Sequence, residues 1–186
     1  MVLYIKNMVC TRCKLVVQAE LVKLGLSPVK VALGEAVVEE ELSAEYLYLL
    51  NIALKRSGLE IIDDPKSILV EKIKKCILYL IEEPGPKPHI NLSDHLTDQL
   101  HYNYTYLNNV FYKNKGISIE KYLIHLRIEK AKELLLYHEM NLTEISYQLN
   151  YSSVAHLSGQ FKKITGMNPT AFKQQYQWER LAMDEV

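Results

Sequence analysis

Two segments decide the reading of this chain: Leu107-Asn-Asn-Val-Phe-Tyr-Lys-Asn-Lys-Gly116 and Leu157-Ser-Gly-Gln-Phe-Lys-Lys-Ile-Thr-Gly166. Leucine, phenylalanine, lysine and glycine recur at an offset of 50, and Tyr122 and Phe172 continue the match. Upstream, Leu100-His-Tyr102 pairs with Leu149-Asn-Tyr151 at an offset of 49, so the second copy holds one extra residue between Tyr151 and Leu157. Each copy reads as a short helix, a tight turn and a longer helix closed by glycine, the helix-turn-helix outline.

In the first copy Leu107, Val110 and Phe111 fall on one side of the longer helix, and Thr105, Asn108, Asn109 and Tyr112 on the other. In the second, Leu157, Phe161 and Ile164 point inward, and Ala155, Ser158, Gly159 and Lys162 occupy the outer positions. Outer faces of this kind suit a helix laid in a major groove, where asparagine offers a donor–acceptor pair to adenine. Ala155, Ser158 and Gly159 are too short for bidentate contacts, so the second helix is expected to grip backbone through Ser152, Ser153, Lys162 and Lys163. Residues 119–138 read as one connecting helix roughly 30 Å long, against about 34 Å per turn of B-DNA; Arg127 and Lys130 lie along it. Further helices are expected over 92–101, 104–115, 142–150, 153–165 and 169–176, with capping boxes at Asn91-x-x-Asp94 and Asn141-x-x-Glu144.

Glu82-Glu83-Pro84-Gly85-Pro86-Lys87-Pro88 must interrupt helix, because proline lacks the N–H and restricts the residue before it. Ahead of it Ser67–Glu83 reads as a helix on Leu69, Ile73, Cys76, Ile77 and Leu80. Before Pro65 the periodicity is mixed. Val2–Asn7, Val29–Leu33, Ala36–Glu40 and Leu59–Asp63 read as strands, and Thr11–Leu24 and Ser43–Lys55 as helices. The first helix is expected to bury Leu15, Val16, Ala19 and Val22. The order is βαββαβ, the ferredoxin-like arrangement, so the fold class is α+β: a ferredoxin-like domain followed by an all-α double helix-turn-helix domain. The expected divisions are 1–64, a helix and proline-rich connection over 65–88, the helix-turn-helix domain over 89–176, and a tail over 177–186.

The chain has 186 residues, of which 48% are hydrophobic and 24% charged, a composition that excludes disorder as the main state. No apolar run approaches a membrane span, and the start lacks the features of a signal peptide. Three cysteines cannot all pair within one chain, which points to a reducing, cytoplasmic setting. The net charge is zero, but residues 87–176 carry 10 Lys/Arg against 7 Asp/Glu. This surplus is a weak nucleic-acid signal, so the case rests on pattern. No carboxylate pair, nucleophile–base arrangement or phosphate loop is visible, and nothing points to an enzyme. Cys76 sits on an apolar stripe as a core thiol, and His95 and His101 point to different faces, against a histidine metal site.

Residues 67–176 resemble the DNA-binding domain of AraC-type transcription regulators. The resemblance rests on Ile145 through Pro169 with Phe172 and Lys173, on Tyr106-Leu107 through Phe111 and Gly116, and on Tyr122-Leu-x3-Arg127-x3-Ala131-x2-Leu134-Leu135. It implies two helix-turn-helix units that bind double-stranded DNA asymmetrically, with RNA polymerase as a further partner. The implied DNA-contacting set is Asn103, Tyr104, Thr105, Asn108, Asn109 and Tyr112 in the first unit. In the second it is Ser152, Ser153, Ala155, His156, Ser158, Gly159, Lys162 and Lys163. Asn150 stands where the family usually has glycine, Lys173 where it has arginine, and Gly159 where a long polar side chain is common.

The first 64 residues resemble the heavy-metal-associated domain of metallochaperones and metal-pumping ATPases, on Met8-x-Cys10-x-x-Cys13 and the βαββαβ order. Two thiolates at a helix N-terminus suit a soft ion such as Cu(I), with Cys10 and Cys13 as ligands. Three readings stay open here: metal binding, a retained fold without metal, and thiol redox chemistry. For the whole chain the readings are a transcription regulator of the AraC type responsive to a thiophilic metal, or a metal-handling protein whose helical half binds a protein partner.

Overall fold

The structure is a computed structural model that describes the backbone of residues 1–82, 91–137 and 140–184, with side chains to Tyr176. The proline-rich stretch from residue 83 onward lies outside the described residues. The chain forms two compact units, Met1–Cys76 and Ile77–Val186.

The first unit runs through β1 (Val2–Lys6), α1 (Thr11–Lys23), β2 (Pro28–Ala32), β3 (Glu35–Val38), α2 (Ala44–Lys55) and β4 (Glu60–Ile62). The sheet order is β2-β3-β1-β4 with antiparallel neighbours. Strand alternation gives the sheet two faces. Leu3, Ile5, Ala36 and Val38 join Val17 and Leu21 of α1 and Leu50 and Leu54 of α2 in one buried cluster. α1 thus buries Val17 and Leu21, with Cys13, Val16 and Leu24 half-buried against the same cluster, while Leu15 and Val22 are each 60% exposed. Of the apolar positions read from sequence, Val16 packs against this core, whereas Leu15, Ala19 and Val22 face solvent, because the side of the helix continuous with Leu3 and Ile5 is the one the sheet covers.

The helix α3 (Pro65–Glu82) begins in the first unit rather than in a separate connection. Lys72 lies 5.2 Å over the Tyr4 ring and Lys75 pairs with Glu35 at 2.8 Å, tying the helix to β1 and β3. Asp64 caps its start, accepting from the Ser67 N–H at 2.8 Å.

The described part of the second unit holds α4 (Leu92–Leu100), α5 (Tyr104–Lys115), α6 (Ile119–Tyr137), α7 (Leu142–Gln148), α8 (Val154–Thr165) and α9 (Pro169–Asp184). The last helix continues through residues read from sequence as a tail. The capping box at Asn141 and Glu144 forms in full. At Asn91 the side-chain Oδ1 accepts the Ser93 N–H at 3.2 Å and lies 2.9 Å from the Ser93 hydroxyl, and no capping box with Asp94 forms.

The repeat is physical as well as sequential. His101 and Asn150 both take left-handed backbone, φ 59° and 55°, and Gly116 and Gly166 end α5 and α8 at φ 73° and 84°. Asn103 and Ser153 cap the longer helices. Phe111 meets Tyr122 at 5.2 Å between centroids, and Phe161 meets Phe172 at 5.4 Å. Tyr102 and Tyr151, one residue past each left-handed position, lie against Tyr106 and His156 at 5.2 and 5.3 Å. The extra residue of the second copy is therefore in the turn, between Tyr151 and the cap Ser153.

Asparagine tolerates the left-handed region because its side chain is short and polar, whereas a β-branched residue does not. Asn150→Val is expected to cost about 1–2 kcal/mol of stability. Asn150→Gly should leave it nearly unchanged, since relief of backbone strain and added unfolded-chain entropy oppose each other. Urea denaturation of both variants checks this.

Candidate nucleic-acid interface

The inner faces of α5 and α8 are set by burial. Leu107, Phe111, Leu157 and Phe161 are fully buried and Val110 nearly so. With those positions fixed, helical geometry turns the opposite face to solvent. Thr105, Asn109 and Tyr112 of α5, and Ala155, His156, Gly159, Lys162 and Lys163 of α8, are exposed, as are Asn103, Ser152 and Ser153 at the caps. Most of the set read from sequence therefore lies on accessible surface of the two longer helices.

Two members of that set are engaged elsewhere. Asn108 is half-buried, and its Oδ1 accepts the backbone N–H of Ile119 at 3.0 Å. It closes the start of α6, where the first backbone donors have no partner within the helix. The second copy shows why asparagine is needed only once. The counterpart of Ile119 is Pro169, which has no N–H, and the counterpart of Asn108 is Ser158. Tyr104 is also half-buried, and its hydroxyl is enclosed without a hydrogen-bond partner. Burial, and then the nearby Glu120 carboxylate, push its pKa up. Its ring fills space between helices, and its hydroxyl does not reach the outer face.

In the second unit the turn is wired to α8. The Tyr151 hydroxyl donates to Gln160 Oε1 at 3.1 Å, which fixes the amide so that Gln160 Nε2 faces His156 Nε2 at 3.2 Å. The ring then carries its proton on Nδ1 and donates to the Ser152 hydroxyl at 3.0 Å. Ser152, the extra residue of this copy, keeps its own proton for an outside acceptor. A chain of this kind presents a directed hydroxyl donor at the turn, a geometry suited to phosphate oxygen. Gln160, which orients the chain, was missed from sequence because its partners lie four and nine residues away.

The geometry corresponds to known proteins. Residues 96–175 match the family described as Helix-turn-helix domain. The HTH-type transcriptional regulator YtdP of Bacillus subtilis is 34% identical over 82 residues, covering 44% of this chain and 11% of that protein. The Msm operon regulatory protein of Streptococcus mutans is 27% identical over 144 residues, covering 75% of this chain and 50% of that protein. The helical half is similar to the helix-turn-helix domains of transcription regulators. Its relatives are transcription regulators, not enzymes. The crystallised DNA-binding domain of AdpA, solved with a target DNA, shares the fold at a TM-score of 0.52 and 21% identity, over 63% of this chain and 97% of that one. The chain spans half or less of the length of the two curated relatives. Among the described residues no helix is long and apolar enough to cross a membrane.

The thiol pair lies in the first unit. Asn7 takes left-handed backbone at φ 70°. Met8 then turns inward and is buried, and Cys10 stands at the N-cap of α1. Its Sγ is 3.5 Å from that of Cys13. The Cys13 backbone amide and thiol, then Arg12, hold the Cys10 thiol below its ordinary pKa. Cys10 is exposed and Cys13 half-buried. Among the described residues no group of three or more His, Cys, Asp or Glu side chains is placed to hold a metal ion. Cys76 is half-buried, and burial pushes its thiol pKa up, as expected of a packing thiol.

The role of Asn108 is directly measurable. Asn108→Ala is expected to lower stability by about 0.5–2 kcal/mol, the range for losing a helix cap. Asn109→Ala, on the open face of the same helix, should stay within about 0.5 kcal/mol. Thermal unfolding of the two variants separates the anchoring residue from the free one.

Proposed function

We propose that this protein is a sequence-specific, cytoplasmic transcription regulator that grips double-stranded DNA with α5 and α8. The observation that carries the reading is the paired construction of the two helices, each buried on a phenylalanine, capped at its start and closed by a left-handed glycine. Its relatives, named as transcription regulators, support it. Base reading falls to Thr105, Asn109 and Tyr112. Asn103 and Ser153 hold the helix starts, while Ser152, His156, Lys162 and Lys163 meet backbone phosphate. Ala155, Ser158 and Gly159 allow close approach rather than long contacts. RNA polymerase is the natural second partner of such a regulator.

The first unit acts in this proposal as the input. Its strand and helix order and the Met8–Cys13 segment support a ferredoxin-like, heavy-metal-associated type of domain. The two sulfurs, 3.5 Å apart with Cys10 open to solvent, fit an ion of low coordination number such as Cu(I) better than zinc, which takes four ligands. Cys10 and Cys13 would hold it; a bound thiophilic ion supplies positive charge at the start of α1. The reading as a metal-handling protein with a protein-binding helical half is less favoured, because the relatives of that half are transcription regulators.

Selection of bound duplexes from a random pool should return a preferred site whose affinity falls with salt as counterions are released. Asn109→Ala should relax one half of that site, a good bidentate contact being worth roughly 1–3 kcal/mol, and Lys162→Ala should weaken all sequences alike. Recovery of no preferred duplex from the full chain sinks the DNA reading. Separately, competition titration should show one Cu(I) taken up by the wild type and none by the Cys10→Ser/Cys13→Ser double variant. Equal uptake by both removes the metal site, and uptake without any change in DNA affinity removes the switch.

A further inference from the structure

Within the second unit, α6 floors a cleft of about 520 Å³ lined also by the beginnings of α4 and α5, the second turn, and α8. That is the size range of small-molecule sites. Its charged groups are Arg127 and Glu120, both from α6. Arg127 is half-buried, and its guanidinium lies 5.7 Å from the centre of the Tyr151 ring. No carboxylate among the described residues comes within ion-pair distance of it. Glu120 stands seven residues earlier on the same helix, roughly 10 Å along its axis. Loss of solvent pulls the Arg127 pKa down, yet a guanidinium stays protonated in proteins. The cleft therefore holds a partly desolvated cation with an aromatic ring beside it and no counter-ion, an arrangement that is costly while unpaired.

The neighbouring polar groups add donors. Gln160 is locked by the Tyr151 hydroxyl on its oxygen and uses one Nε2 proton on His156, which leaves the second free. Asn91 spends its Oδ1 on Ser93, so its amide nitrogen is likewise a free donor at the rim. The guanidinium fork matches a carboxylate or phosphate in a bidentate fashion.

We propose that this cleft is an oxyanion site, with Arg127 as its charge and Gln160 and Asn91 as its supporting donors. The occupant carries a phosphate or carboxylate group. Two sources supply that chemistry: a backbone phosphate of bound DNA, since His156 and Gln160 adjoin the outer positions Ala155 and Gly159, or a small anionic effector. The DNA arm rests on the function proposed above; the small-anion arm does not.

The test uses the full chain and inorganic phosphate. Phosphate titrated into the DNA-free protein at constant ionic strength should move the Arg127 Nε–H resonance saturably. Arg127→Gln should weaken that uptake at least tenfold, and Arg127→Lys, which keeps charge and stem but loses the fork, should fall between. Gln160→Leu, judged on the same titration, covers the case in which Arg127→Gln does not fold. In parallel, DNA affinity is measured against salt for each variant. A log–log slope reduced by about one in Arg127→Gln assigns the oxyanion to DNA, one phosphate contact being worth about 0.9 of slope. Phosphate uptake with an unchanged DNA slope assigns it to a small effector. Should phosphate produce no saturable shift and the variants leave the DNA slope intact, the site is overturned. Should the wild type bind no DNA at all, the phosphate titration alone still decides it.

Discussion

The phenylalanine ring that each of α5 and α8 buries is the contact on which the helical half depends. Phe111 and Phe161 are fully buried, and each meets one aromatic ring of the helix that follows. An aromatic side chain buries a large area and prefers tilted or edge-on neighbours, so the pair fixes both the depth and the roll of the helix. Once the roll is fixed, the exposed face is no longer free to vary. Thr105, Asn109 and Tyr112 are outward because Leu107, Val110 and Phe111 are inward. A slip of one residue would rotate the face by about 100° and bring a different set of side chains to the surface.

The two copies solve the same problem with different residues, and the differences are local necessities. A helix that starts with a free backbone N–H needs an acceptor, so α6 draws on Asn108. One that starts with proline does not, so the short side chain of Ser158 can stand at the equivalent position of α8. The longer second turn exposes Ser152 and recruits Tyr151, Gln160 and His156 into a hydrogen-bonded chain. The first turn replaces that chain with the stacked pair Tyr102 and Tyr106. One copy thus gives up a polar helix residue to structural work, while the other gains a directed hydroxyl. The two copies are therefore alike in frame and different in the groups they expose.

Much of this was legible in the sequence because the decisive residues are few and chemically distinct. Phenylalanine and glycine mark the repeat at fixed spacing. What could not be read were contacts whose partners lie apart in the chain. Nothing near Asn108 shows that its amide serves Ile119, and nothing near Arg127 shows that it faces Tyr151. The buried stripe of α1 was misread because Leu15 and Val22 are as apolar as Val17 and Leu21, and only the sheet beneath decides between them. α9 runs on to Asp184, past the end expected at residue 176, and Trp178, Leu181 and Ala182 do stand at helical spacing there. The contacts that tie the start of α3 to the sheet, Lys72 on Tyr4 and Lys75 on Glu35, span 68 and 40 residues and so leave no local mark in the sequence.

The corrected stripe of α1 changes how the thiol pair relates to its own unit. Cys13 is not a loop residue beside the core; it is the first member of the stripe that continues through Val17 and Leu21 into the cluster around Leu3 and Ile5. Cys10, one turn earlier, is outside that cluster and open to solvent. Met8 is buried on the other side of the junction. The pair therefore joins an accessible sulfur to a sulfur packed at the head of a helix. On the half of Cys13 that meets the core the packing is close, so an added group can be accommodated only on its solvent side or by a shift of the core. A change on the core side must be taken up by movement of α1 over the sheet or by Cys13 turning outward, and either displaces Val17 or opens the core at Met8. Chemistry at Cys10 alone carries no such cost. The coupling of this site to its fold thus runs through Cys13, whichever ligand or oxidant first meets Cys10.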